Sequence, residues 1–172
     1  MQDLQKEVLS GYDIEVRSYV DNVIEDIPAF LGKVNDITLE NPGSVIQLFD
    51  SDYICGMKHL NQAIVQAIKA FDEGHNFAND RGLEVCVRLS AQKQISQALR
   101  ILGIKNRGNV TVLYINTDSA QIRKMEDLLV NRDDSIIEDY DVDDIRNTYS
   151  LDSDVDIVDY INEKIALLAF KT

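Results

Sequence analysis

The residues with the most chemical potential are cations and their polar neighbours. Lys58, His59, Arg88, Lys93, Gln94, Lys105 and Arg107 all fall between residues 53 and 115. That stretch holds 8 Lys/Arg against 4 Asp/Glu, while residues 1–52 hold 3 against 11 and residues 116–172 hold 6 against 15. A basic middle therefore sits inside a chain of net charge −13. Charge fields are local over about 8 Å at physiological salt, so a basic face can hold an anion on an acidic protein. The acidic flanks oppose indiscriminate binding to duplex nucleic acid. Each cation also has a plainer reading. His59 can pack or cap locally, Arg88 can pair across a strand, and Lys93, Lys105 and Arg107 can be solvated.

The element that must position the central cations is Leu83–Gly103. Leu83, Val85, Val87 and Leu89 alternate with Glu84, Cys86 and Arg88, the period of a strand. Ile95, Ala98, Leu99 and Leu102 then share one helical face. Ser90 stands at an N-cap position, and Gly103 where a left-handed residue would end the helix. The polar turn Ser90-Ala91-Gln92-Lys93-Gln94 would thus lie at the positive end of a helix, where a phosphate or another anion is favoured.

Catalytic constellations are missing from the sequence. It contains no phosphate-binding G-x-x-x-x-G-K-S/T, no G-x-G-x-x-G, no H-E-x-x-H and no G-x-S-x-G. Two histidines 16 residues apart do not make a zinc site without further ligands. Asp152-x-Asp154-x-Asp156 with Glu163 mimics a calcium loop, but Ile157 occupies the position that needs glycine, so helix capping is the expected role. No cofactor or metal is expected. The alternative is a metal-dependent enzyme built on the acidic C-terminal third. Cys55 and Cys86 belong to no C-x-x-C pair and read as reduced thiols of a cytoplasmic protein. The N-terminus lacks a basic-then-apolar pattern, and no run of 18 apolar residues occurs, so neither secretion nor a membrane partner is expected.

The remaining pattern reads as one domain over residues 1–172. Ile14, Val16 and Tyr19-Val20 suggest a strand interrupted at Arg17-Ser18, and residues 21–32 a short helix stopped by Gly32. Residues 44–49 read as a buried strand. Residues 57–73 form the best helix, with a stripe from Leu60 to Phe71 ended by Gly74. Residues 109–115 are apolar on both faces and read as an interior strand. A helix over 120–129 follows, capped by Asp118 or Ser119, then a short edge strand at Ile136-Ile137 and a short helix through Ile145. A final helix over 155–169 carries Ile157, Ile161, Ile165 and Leu168 in a stripe wide enough to leave apolar surface for a partner. The expected fold class is α/β: a single domain with a mixed β-sheet, packed helices, a βαβ unit over 83–115 and a helical C-terminus.

The turn carries a resemblance. Ser90-Ala91-Gln92-Lys93-Gln94-Ile95, with Ala98 and Gly103, resembles the Ser-Gly-x-Arg-Gln-Ile signature of the PRPK-binding (TPRKB) family in its archaeal form, the small kinase-binding subunits of the KEOPS tRNA-modification complex. Met57-Lys58-His59-Leu60, Glu84, Gly108-Asn109-Val110 and Glu163-Lys164-Ile165-Ala166-Leu167-Leu168 extend it, so residues 44–172 are the best match and 1–43 diverge. The sequence departs from the family at Ala91, where Gly is usual, and at Lys93, where Arg is usual. The resemblance implies a non-catalytic accessory subunit with two partners: the KEOPS kinase/ATPase, and the single-stranded 3′ CCA end of tRNA, with no role for DNA. Such a subunit supports threonylcarbamoyladenosine modification. It assigns RNA contact to Lys58, His59, Arg88, Lys93, Gln94, Lys105 and Arg107. Kinase docking is assigned to the C-terminal helix through Ile157, Ile161 and Leu168. A protein-only scaffold that never touches RNA is the further alternative.

Overall fold

A computed structural model describes residues 8–152 and 155–168. Three strands form one antiparallel sheet in the order β1–β3–β2: β1 (Ile14–Val23), β2 (Val45–Asp50) and β3 (Arg107–Ile115). β3 takes the centre because both its faces are apolar. Val110, Val112 and Tyr114 join the core on one face, while Leu113 and Ile115 join the core on the other. Neither Arg17 nor Ser18 interrupts β1. Ser18 Oγ meets Thr111 Oγ1 at 2.9 Å, and Ser51 Oγ meets the same hydroxyl at 2.6 Å, so a polar line is satisfied inside the sheet. The strand is irregular only near Asp21, at φ 53.

Helix α1 (Ile27–Leu39) starts at Asp26, whose side chain accepts from the Ala29 N–H, and runs straight through Gly32. The expected helix over 21–32 is therefore displaced: its first residues belong to β1, and Gly32 is not its stop. α1 and α5 (Ser119–Leu128) cover one face of the sheet through Val34, Ile37 and Met125. A capping box between Asp118 and Gln121 opens α5. The opposite face carries α2 (Gly56–Glu73), α3 (Arg81–Ser90), α4 (Ile95–Leu102), α6 (Val142–Tyr149) and α7 (Ile157–Leu168). As expected, α2 buries Leu60, Ala63, Ile64, Ala67 and Ile68 and ends at a left-handed Gly74, at φ 74.

The principal correction concerns residues 83–89, which are helix α3 and not a strand. Asp80 caps it, accepting from the Leu83 N–H at 2.8 Å, and Glu84 pairs with Arg88 one turn later. Every residue from Glu84 to Ser90 is buried. Arg81, Glu84 and Arg88 share one helical face at i, i+3 and i+7, but the alternation of Leu83, Val85, Val87 and Leu89 imitates a strand. The βαβ unit accordingly does not form, and all strand pairing is antiparallel.

Ser90 is the last residue of α3 and not the cap of α4. Its hydroxyl donates to the Val87 carbonyl at 2.7 Å and accepts from the Gln92 N–H at 3.1 Å. Gly103 has an ordinary φ of −63. It is needed for another reason: a Cβ there would collide with the Leu99 carbonyl oxygen. Ile136-Ile137 lie in a 3-10 turn, Asp134–Glu138, with Ile137 buried, so no edge strand forms there. Residue 169, the expected end of the last helix, is outside the described residues, as are residues 1–7.

Candidate nucleic-acid and partner interface

The turn between α3 and α4 is built from its buried side. α3 ends at Ala91, which takes the left-handed conformation at φ 56 and bonds its N–H to the Arg88 carbonyl. α4 then starts at Gln94, whose side chain makes no cap bond. Lys93 and Gln94 are exposed on this turn. The stub of α3 is tied to the start of α2 by His59, whose ring is fully buried. His59 Nδ1 accepts from the Cys55 N–H at 3.0 Å, and Nε2 lies 3.0 Å from the Leu89 carbonyl oxygen. An amide can only donate and a carbonyl can only accept, so the proton must reside on Nε2. Burial pushes the imidazole down to about 4, although the Leu89 bond favours its charged form.

His59 is therefore an interior tie and not a surface contact. Arg88 is interior as well. Its Nε donates to Glu84 Oε2 at 2.7 Å, its other nitrogens reach Gln66 and the His75 carbonyl, and its guanidinium lies 4.4 Å from the Phe77 ring centre. Glu84 Oε1 accepts from the Phe77 and Ala78 N–H groups, both at 2.7 Å. The pair pins the 75–80 loop over α2 and α3. The pairing partner is within one helix and not across a sheet, because the segment is helical.

The other expected cations reach solvent in two places. Lys58, on the first turn of α2, is exposed and stands 3.0 Å from Asp159 on α7. That contact raises its ammonium above the ordinary value. Ala91 and α7 border a shared cleft of about 310 Å³ with Tyr160, Lys164 and Leu167. The outer face of α7 thus brings Lys58 and the basic turn to one side of the molecule. Lys105 and Arg107 lie beyond the other end of α4, about 12 Å away along an eight-residue helix. Lys105 Nζ bonds Asp50 at 3.0 Å and the Gly103 carbonyl at 2.7 Å, while Arg107 is exposed at the start of β3.

Helix α7 is divided by its own period. Ile157, Ile161, Ile165 and Leu168 are buried in the core. Asp159 and Glu163 are exposed, as is Leu167 at 47%. Tyr160 was absent from the residues singled out in the sequence, and Lys164 stood there only within the C-terminal match, with no role assigned. Lys164 lies 5.9 Å from the Tyr160 ring centre and donates to the Tyr149 carbonyl at 2.9 Å. Their i, i+4 spacing on the partly polar side of the α7 stripe was the available signal. Glu138 was also missed: its carboxylate accepts from the Met57 N–H at 2.8 Å and so faces the start of α2.

Catalytic chemistry finds little support in these groups. Burial pushes the thiols of Cys55 and Cys86 up to about 12, which makes them poor nucleophiles. Asp156 accepts from the Asp159 N–H and caps α7. Asp154 lies outside the described residues. Among the described residues, no three His, Cys, Asp or Glu side chains are grouped to hold a metal ion. No described helix is long and apolar enough to cross a membrane.

Two comparisons bear on this arrangement. The family described as kinase-binding protein CGI-121 matches residues 21–169, so the likeness begins inside the stretch expected to diverge. The regulatory protein Cgi121 of Methanocaldococcus jannaschii is 32% identical over 134 residues, covering 76% of this chain and 88% of that protein.

Proposed function

The chain belongs to the CGI-121 family of kinase-binding proteins, and from that membership we propose that it is a non-catalytic accessory subunit of a KEOPS-type complex. In this role it docks on the complex's small kinase/ATPase and holds the single-stranded 3′ CCA end of tRNA during threonylcarbamoyladenosine modification. The observation that supports the RNA part is that Lys58 on α2 and Lys93 on the α3–α4 turn are both exposed. Cations there meet phosphates, and Gln94 supplies a hydrogen-bonding amide. Lys105 and Arg107 extend the path past the far end of α4. His59 ties the start of α2 to the end of α3 beneath this surface.

The kinase contact belongs on the solvent side of α7. Ile157, Ile161 and Leu168 are committed to the core, so the apolar anchor left to a partner is Leu167. The family membership supports a kinase partner; tRNA as ligand rests on the basic surface and the resemblance of the turn.

A gel shift with intact tRNA and with the same tRNA lacking its terminal CCA tests the RNA role. Tighter binding of the intact form is expected, and Lys58→Glu with Lys93→Glu should weaken it. Because single-strand contacts lower the salt slope by about 0.7 each, the double variant should flatten a log–log salt plot by about 1.4. Equal affinity for both tRNAs, unchanged in the double variant, would leave kinase docking as the surviving role.

A further inference from the structure

A second surface lies away from α7. β2 is an outer strand, paired only with β3 among the described residues. Along its other side runs a cleft of about 390 Å³ whose floor is the five consecutive residues 44–48. Side chains alternate between faces along a strand, so five in a row line one cleft only where it meets the strand edge-on. The two cores confirm the alternation: Ile46 and Leu48 pack under α1, whereas Val45 packs on the opposite side. One bank of the cleft is α1, through Leu31 and Val34. The other is the end of α4 and the chain after it, through Leu99 and Ile104. Leu31 and Leu99, each 43% exposed, both line the cleft.

We propose that this slot takes an extended apolar segment of a partner protein, carrying one Lys or Arg, which adds as a fourth strand beside β2. Natural sheets usually block such an edge with lysine, proline or a charge; residues 44–49 contain none of these, and the one charge of β2, Asp50 at its end, is buried and paired with Lys105. The Leu48 carbonyl accepts from the side-chain amide of Gln47 at 3.3 Å, a local stand-in for a neighbouring strand. Alternate side chains of the incoming segment would meet Leu31 and Val34 on one side and Leu99 and Ile104 on the other. Asp80 is the one charged residue lining the slot, which selects a cationic side chain. The slot is recessed between the helix layers of both sheet faces. A lone strand fits there, whereas the β2 edge of a second copy would bring its own α1 and α4 against these. This inference uses none of the residues assigned to RNA or kinase and stands independently of that role.

The test is fluorescence anisotropy with the full chain and a fluorescein-labelled, end-capped seven-residue peptide of alternating valine and threonine with a central arginine. Saturable binding is expected. It should be lost when alternate peptide amides are N-methylated, and weakened about tenfold by Leu31→Lys with Leu99→Lys in protein shown by circular dichroism to be folded. Asp80→Asn, which keeps the α3 cap, should weaken the arginine peptide but not its glutamine counterpart. No saturable binding up to about 1 mM, or binding indifferent to N-methylation and to the leucine pair, overturns the proposal. Concentration-dependent dimerisation abolished by the same leucine pair overturns it in favour of a second copy.

Discussion

His59 Nε2 and the Leu89 carbonyl oxygen stand 3.0 Å apart across 30 residues of chain. With the Cys55 N–H bonded to Nδ1, this fixes one neutral tautomer at the junction of α2 and α3. The junction carries Lys58 on one side and leads into the basic turn on the other. A residue expected to touch RNA instead determines where its neighbours stand.

The tie makes stability depend on acidity. The folded imidazole titrates at about 4, below its ordinary 6.5. The group therefore contributes fully above pH 6.5, and its contribution is lost as pH falls from 6.5 towards 4. The shift corresponds to roughly 3 kcal/mol. Urea unfolding at pH 7 and pH 4.5 should show a larger loss in the native chain than in His59→Leu, and equal losses would refute the assignment.

Ala91 holds a left-handed conformation that costs an L-residue about 1 kcal/mol. Ala91→Gly is expected to raise the urea midpoint by a comparable free energy at an unchanged m-value. Ala91→Val should lower it, because a β-branched side chain tolerates that conformation worse. A stability loss in the glycine variant would mean that the Ala91 methyl group matters more to the cleft beside α7 than the strain does.

Glu84 and Arg88 form a buried pair whose carboxylate also holds two loop amides. Removing one partner strands the other charge, so Arg88→Met should cost about 3–5 kcal/mol. In whatever fraction remains folded, tRNA affinity should be unchanged. A fall in affinity without a fall in the thermal midpoint would return Arg88 to the RNA surface.

The two sides of α7 should separate cleanly. Ile161→Ala leaves a cavity in the core and should destabilise by about 2–5 kcal/mol. Leu167→Asp should leave the melting temperature within a few degrees yet weaken kinase binding in a titration of the two purified proteins. If Leu167→Asp binds as the native chain does, the docking face is elsewhere.

Local signals were legible where period, element length and turn chemistry agree. The 57–73 helix, its Gly74 stop, the 44–49 strand and the interior strand before Ile115 all follow from period and turn chemistry. The helix after residue 118 and the short helix through Ile145 follow in the same way, and the structure chooses Asp118 and Asp141 as their caps. Legibility failed at α3, where the alternation of Leu83, Val85, Val87 and Leu89 suggests a strand and outweighs the helical spacing of Arg81, Glu84 and Arg88. It failed again at Gly32, which α1 tolerates in its interior because Val34 and Ile37 are held against the sheet.

The sequence by itself determined the elements whose period and turn chemistry agree, the basic middle of an acidic chain, and the residues by which the family is recognised. Tertiary structure alone decided which cations remain outside. Lys58, Lys93 and Arg107 stay exposed, while His59 and Arg88 are drawn inward. Burial depends on what packs above a residue, and a one-dimensional pattern records only the side chain's own preference. An arginine can be interior where each of its nitrogens finds an acceptor, and Glu84, Gln66 and the His75 carbonyl supply these from positions set only by folding.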